Sequence, residues 1–250
     1  MKIDSIFLDT IAGDHKKILV FDCEFWHVYG DKGYISNERG SNEFFMPREV
    51  GGFYFQKTSD GKWNYKKEFF ITLNPPKDKA FSFVSSEFSN TTEATGRKLD
   101  ELQSLLLNYY LKSDEIEKVL NQNIQTYLDD ENIKKGHKPS SWIQSFIDDI
   151  SESLVIVKGL KDLDALENAC RYHGYKYKQP KGVVDIAEWN PKSHRLCGTA
   201  RLEKTFQCIK RKLDPEVEKF LDIVPIGRPH DPRSDAAMTF IVALYIIQSS

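Results

Sequence analysis

The sequence predicts an α/β fold, and three patterns carry that expectation. Its first third holds three short β-branched and aromatic runs, Ile18 to Cys23, Val50 to Gln56 and Glu68 to Leu73, separated by Gly-, Asn- and Asp-containing turns. The final hundred residues alternate apolar strands with amphipathic helices, which implies crossover units with parallel strands. Between these regions, residues 77–151 carry Leu and Ile mostly at helical spacing. The expectation is one domain over 1–250, built on a mixed sheet flanked by helices and carrying a largely helical insertion at 77–151.

In chain order, the three early runs have short links, so they form an antiparallel meander, and Pro75-Pro76 stops the third. Residues 82–95 are Ser-, Thr- and Asn-rich and predict a loop. Leu99, Leu102, Leu105 and Leu106, then Ile116, Leu120, Ile124 and Leu128, predict two or three helices, with Ser140 or Ser141 capping a further helix through Trp142, Phe146 and Ile150. A buried strand at Leu154 to Val157, a helix from Asp162 to His173, a strand at Val183 to Asp185 and a helix from Ala200 to Leu213 follow.

Composition narrows the function classes. The chain has 250 residues, 40% hydrophobic and 29% charged, with sixteen Phe and eleven Tyr, which fits a folded globular domain and excludes an extended disordered chain. No apolar run could cross a bilayer, and Met1 to Lys17 holds Asp4, Asp9 and Asp14 in place of a basic, then apolar, leader. An intracellular protein, cytoplasmic or nuclear, with no membrane partner is expected. The four cysteines form no Cys-x-x-Cys, so reduced thiols are expected. Formal net charge is −2, against bulk coating of long nucleic acid, yet basic residues including Arg195 and Arg201 crowd a short stretch that could bind phosphate.

The run from Lys17 to Trp26 places Asp22 and Glu24 at period-two spacing at the end of an apolar strand. The two share a face, and desolvated carboxylates so close repel unless a metal or a proton neutralises them. The plain alternative is a solvated strand end. Near the C-terminus, Arg228-Pro229-His230-Asp231-Pro232-Arg233-Ser234-Asp235-Ala236-Ala237 carries a legible helix start. Asp231 fits the N-cap and Pro232 the first helical position, so Asp235 falls in the first turn and His230 just before it. Both side chains could face one cleft.

Phe-Asp-Cys-Glu-Phe near the start, an acid after a central apolar strand, and His-Asp-Pro-Arg-Ser-Asp-Ala near the end resemble, in that order, the three motifs of the DEDDh 3′-to-5′ exonucleases of the ribonuclease-H-like superfamily. The resemblance spans about Lys17 to Ile247 and implies a single exonuclease domain on a ribonuclease-H-like five-stranded mixed sheet. For the middle acid, Asp162 stands at the strand-to-helix junction, while Asp164 lies about 200° further around an ideal helix. Val157-Lys158 stands where many members have a His-Asn pair, and Lys161 where an apolar residue often precedes the acid.

What the resemblance implies is a metal-dependent nuclease. Asp22, Glu24, Asp162 and Asp235 would hold two ions, Mg²⁺ or Mn²⁺, with His230 as general base, releasing nucleoside 5′-monophosphates from the 3′ end of RNA or DNA, the partner being single-stranded nucleic acid or a 3′ end. Phe25 or Trp26 could stack on the terminal base, with at least one of the two in the core. Arg195 and Arg201 would contact substrate phosphates, and the insertion could bind a protein partner. A catalytically inactive nucleic-acid-binding or scaffold module on the same fold is the alternative. A structural Zn²⁺ held by Cys170, His173, His194 and Cys197 is a further option, set against a plain reading of Cys170 on an apolar helix face and His194 and Cys197 in a loop.

Overall fold

The computed structural model describes residues 2–30, 44–73, 81–85, 139–227 and 230–249. The helices expected between Leu99 and Leu128, and the partner surface they would offer, lie outside the described residues.

The strands are β1 (Lys2–Ile3), β2 (Lys17–Gly30), β3 (Phe44–Lys57), β4 (Trp63–Thr72), β5 (Phe81–Ser85), β6 (Leu154–Val157) and β7 (Gly182–Asp185). The helices are α1 (Ile6–Ala12), α2 (Pro139–Ser151), α3 (Lys161–His173), α4 (Asn190–Cys197), α5 (Leu202–Ile209), α6 (Pro215–Glu218) and α7 (Pro232–Gln248). The sheet order is β1-β4-β3-β2-β6-β7, and β5 also pairs with β2. Among the described residues this gives seven strands where five were expected. The five that the sequence predicts are contiguous: an antiparallel meander β2-β3-β4, then β6 and β7 parallel to β2. The two additions are the short edge strand β1 beside β4 and β5 on the far end of β2.

Helices cover both faces, so alternate residues of β2 enter different cores. Ile18 and Val20 pack with α1, α5 and α7, whereas Leu19, Phe21 and Cys23 pack with α2 and α3. The first core is aromatic-rich, with Phe53, Phe55, Phe220 and Phe240 in mutual ring contact at centroid distances of 5.1 to 5.9 Å. Helix α7 is buried from Ala236 to Ile246 because the sheet and the surrounding helices enclose it, which explains why its sequence lacks a polar stripe.

Several boundaries differ from expectation for local reasons. Helix α2 begins at Pro139, a residue suited to the first helical turn, so Ser140 and Ser141 lie inside it. The last basic helix is shorter than Ala200 to Leu213, ending at Ile209, and His194 and Cys197 lie on α4 instead of in a loop. Cys197 and Cys208 form a disulfide that joins α4 to α5, with Cα atoms 5.9 Å apart. The expectation of reduced thiols therefore fails for this pair. A fold brings cysteines together across helices without any short sequence spacing to announce it. Cys23 and Cys170 are free and buried. No helix among the described residues is long and apolar enough to cross a membrane.

Candidate metal-binding active site

The site forms where β2 runs past the end of β6. One edge of β2 pairs with β3 from Lys17 to Val28, and the other pairs with β6 only from Ile18 to Val20, then with β5 from Trp26 to Gly30. The backbone between these two stretches needs another partner. Asp162, in the first turn of α3, supplies it: its Oδ1 accepts a hydrogen bond from the Cys23 N–H at 3.1 Å. That bond fixes Asp162 beside Asp22 and buries it to 4% exposure, whereas Asp164 is exposed.

Asp22 and Glu24 continue the face of β2 that begins with Ile18 and Val20, so both point toward α7. The register explains how α7 approaches so closely. Asp22 is paired with Gly51 of β3, and a Cβ on Gly51 would lie 2.6 Å from the Arg233 amide nitrogen and 2.9 Å from the Pro232 carbonyl carbon. Only a residue without a side chain admits the helix N-terminus there. A Gly-Gly pair inside an apolar strand was the sequence signal for this approach.

The start of α7 has the cap anticipated from its sequence. The Asp231 carboxylate accepts from the Arg233 N–H at 3.0 Å, and Arg233 returns a side-chain ion pair to Asp231 at 2.7 Å. Its guanidinium also lies 5.0 Å from the Phe70 ring, binding the helix start to β4. His230 adopts a left-handed backbone with φ of 63°, and its N–H donates to Asp235 Oδ2 at 3.2 Å. Ligand atoms of Glu24, His230 and Asp235 all lie within 4.8 Å of one another.

These acids act on one another electrostatically. Burial first, and then the charges of Asp162, Asp235 and Glu24, push the Asp22 carboxyl well above the usual carboxylate range. Asp22 nonetheless retains some solvent access. Burial likewise raises Asp162, with the Cys23 N–H opposing and Glu24, Asp185 and Asp164 adding to it. Asp235 is pushed up to about 6, chiefly by burial, while His230 pulls it down and Asp231 and Glu203 push it up. A bound cation would relieve this mutual repulsion. The donor set is all oxygen plus one imidazole, chemistry that fits Mg²⁺ or Mn²⁺.

Residues not assigned to the site from the sequence complete the surround. Asp185 ends β7 as Asp22 nears the end of its apolar run, an acid after a β-branched strand, and its Oδ1 accepts from the Gly159 and Ala187 N–H groups at 2.6 and 2.8 Å. It thereby pins the turn that leads into Asp162. Lys158, half-buried, donates to Asn190 Oδ1 at 3.3 Å and to the Ala200 carbonyl at 2.9 Å.

Other expectations fare differently. Trp26 is in the core, not in a cleft: it is 1% exposed and its Nε1 donates to the Leu73 carbonyl at 3.1 Å. The reason is a bulge between Glu24 and Phe25, where Arg48 is the extra residue on β3 and the simple alternation breaks. Phe25 is half-buried with its ring edge-on to Phe45 at 5.8 Å. Arg195 and Arg201 are exposed, on the last turn of α4 and at the N-cap of α5. The zinc set is not assembled, because Cys197 is bonded to Cys208 and Cys170 is buried on α3, while the His173 ring packs against Tyr172 and Tyr175. No protein-family model matches this sequence, and no curated protein matches it.

Proposed function

We propose that this protein is a metal-dependent 3′-to-5′ exonuclease on a ribonuclease-H-like fold, hydrolysing phosphodiester bonds at the 3′ end of single-stranded RNA or DNA. The observation that carries this reading is the convergence of Asp22, Glu24, Asp162 and Asp235, from three separate segments, on one partly desolvated locus with His230 at its edge. Such a cluster is unfavourable to the empty protein, so a cationic ligand is the simplest reason to build it. The strand order β4-β3-β2-β6-β7 supports the fold assignment, since it joins the expected meander to the expected parallel crossovers.

Asp22, Glu24, Asp162 and Asp235 would hold two divalent ions, Mg²⁺ or Mn²⁺. Bound there, the ions would supply charge neutralisation at the scissile phosphate and help ionise the attacking water. The chain's own contribution is placement and proton transfer. The His230 imidazole takes a proton from the water as its oxygen bonds to phosphorus, and the Asp235 contact to the His230 N–H holds the backbone that presents the ring. The P–O3′ bond breaks, the 3′ oxygen takes a proton from solvent, and a nucleoside 5′-monophosphate leaves.

A time course on matched 5′-labelled single-stranded DNA and RNA, with Mg²⁺, with Mn²⁺ and with EDTA, tests this beside Asp22→Ala. A metal-dependent ladder shortening from the 3′ end, lost in Asp22→Ala, is the expected result. A folded protein that binds both strands and cuts neither would overturn it in favour of a binding module.

A further inference from the structure

Between Asn190 and Lys212 the chain carries seven lysines and arginines against one acid, Glu203, in a protein whose formal net charge is −2. The structure gathers them on one unit. Helices α4 and α5 are cross-linked by Cys197–Cys208, and Thr205, Phe206 and Ile209 bury one face of α5 against α7 and its neighbours. Arg195, Arg201, Lys204, Lys210 and Arg211 are left exposed. Arg195, Arg201 and Lys204 take no part in the ion pairs that Lys2, Lys17, Arg48, Lys57, Lys178 and Arg233 form. Their three charges face outward and are not spent on those contacts.

Its location gives it meaning. Lys158, on the turn that leads to Asp162, bonds the first residue of α4 and the carbonyl of Ala200 in the link to α5, which ties the α4–α5 unit to that turn. From the other side, α5 packs against α7, the helix whose first turn carries Asp235. A cationic surface thus lies on elements that flank the acid cluster. A polyanion whose end reaches those acids would be repelled by the carboxylates and needs favourable contacts just outside them.

We infer that the disulfide-joined α4–α5 unit is a docking surface for the phosphodiester backbone of single-stranded nucleic acid, gripping the nucleotides upstream of the 3′ end presented to Asp22, Glu24, Asp162 and Asp235. This rests on the exonuclease reading for the direction of the strand, not for the existence of the surface. Backbone contacts of this kind carry affinity without sequence preference and depend strongly on salt.

The test is binding of 5′-fluorescein-labelled oligo-dT and oligo-U twenty-mers to the full chain in EDTA, by anisotropy across a salt series. Arg195→Glu/Lys204→Glu is compared with a control of equal charge change, Lys176→Glu/Lys181→Glu, at exposed positions before β7, at the opposite end of that strand from Asp185. The first pair is expected to weaken binding at least tenfold at about 0.1 M salt and to lower the slope of log Kd against log salt by about 1.4, two lost contacts at about 0.7 each. The control should stay within about twofold. Equal weakening by both pairs, an unaltered Kd in the first, or equally tight competition by polyglutamate would each overturn the surface. Should the glutamate pair fail to fold by circular dichroism, Arg195→Ala/Lys204→Ala replaces it and the same slope change is required. The same preparations are assayed for hydrolysis with Mn²⁺. Binding lost in the variant with no hydrolysis by wild type sustains the surface and removes the exonuclease; hydrolysis with unaltered variant binding does the reverse.

Discussion

At the scale of single residues, Asp22 and Glu24 show how two strand positions acquire chemistry only through what packs above them. Burial first, and then three neighbouring carboxylates, raise the Asp22 carboxyl well above the usual carboxylate range, a cost to the empty fold. Asp22→Asn should therefore abolish hydrolysis while stabilising the metal-free protein by about 1 kcal/mol, read as a melting temperature higher by about 2–4 °C. A lower melting temperature in EDTA would show that the carboxylates do not repel. His230→Ala should retain Mn²⁺ binding by calorimetry and lose roughly 10²–10⁴-fold in rate, the range for a general base. For the middle acid, buried Asp162 and exposed Asp164 lie two residues apart, so Asp162→Ala should be inactive and Asp164→Ala close to wild type. The reverse pattern in single-turnover rates would move the ligand to Asp164.

At the scale of elements, the site depends on close approach. Helix α7 meets β3 at Gly51 with no space for a Cβ, and the displaced atoms would be backbone rather than a flexible side-chain tip. Gly51→Ala should cost about 1–3 kcal/mol in denaturant unfolding, as overpacking does, and should slow hydrolysis by shifting Asp235 and His230 together. A silent substitution would mean that the helix start can move without consequence. The α4–α5 unit has its own check. Unfolded without reductant, the protein should expose two reactive thiols, Cys23 and Cys170, and four after treatment with a dithiol. Reduction should also lower stability, by about 2–4 kcal/mol for a typical cross-link. Four thiols before reduction would show that Cys197 and Cys208 are not bonded.

At the scale of the whole molecule, the shared burden of the acids links folding, protons and metal. Asp235 titrates at about 6 when folded and near 3.8 in its ordinary state. Between these values the folded chain holds a proton that the unfolded chain has lost, so this group's contribution to stability is present at low pH and declines as pH rises through the window. Asp22 and Asp162, raised by the same causes, extend the decline upward. Metal-free protein should thus gain stability in this range on mild acidification, relative to Asp22→Asn, as followed by melting temperature against pH in EDTA. Divalent cation near pH 7 should offset the loss, by about 2.7 kcal/mol at a hundredfold excess over Kd, and its affinity should fall as pH drops through about 6. Stability that rises with pH in EDTA and ignores Mn²⁺ would contradict this linkage.

The sequence by itself determined what depends on local pattern. The three-strand meander, β6 bounded at Leu154 and Val157, the Asp231-Pro232 start of α7 and the shared face of Asp22 and Glu24 all follow from period, capping and turn chemistry acting over a few residues. Tertiary structure alone decided what depends on approach between distant segments. The bulge at Arg48 sent Trp26 into the core, Gly51 admitted α7, Asp185 reached across to the turn before Asp162, Lys158 reached from that turn to Ala200, and Cys197 met Cys208. Period and capping fix which way a side chain leaves its own backbone, but not which chain segment lies opposite, because that choice is made by packing the two sheet faces at once.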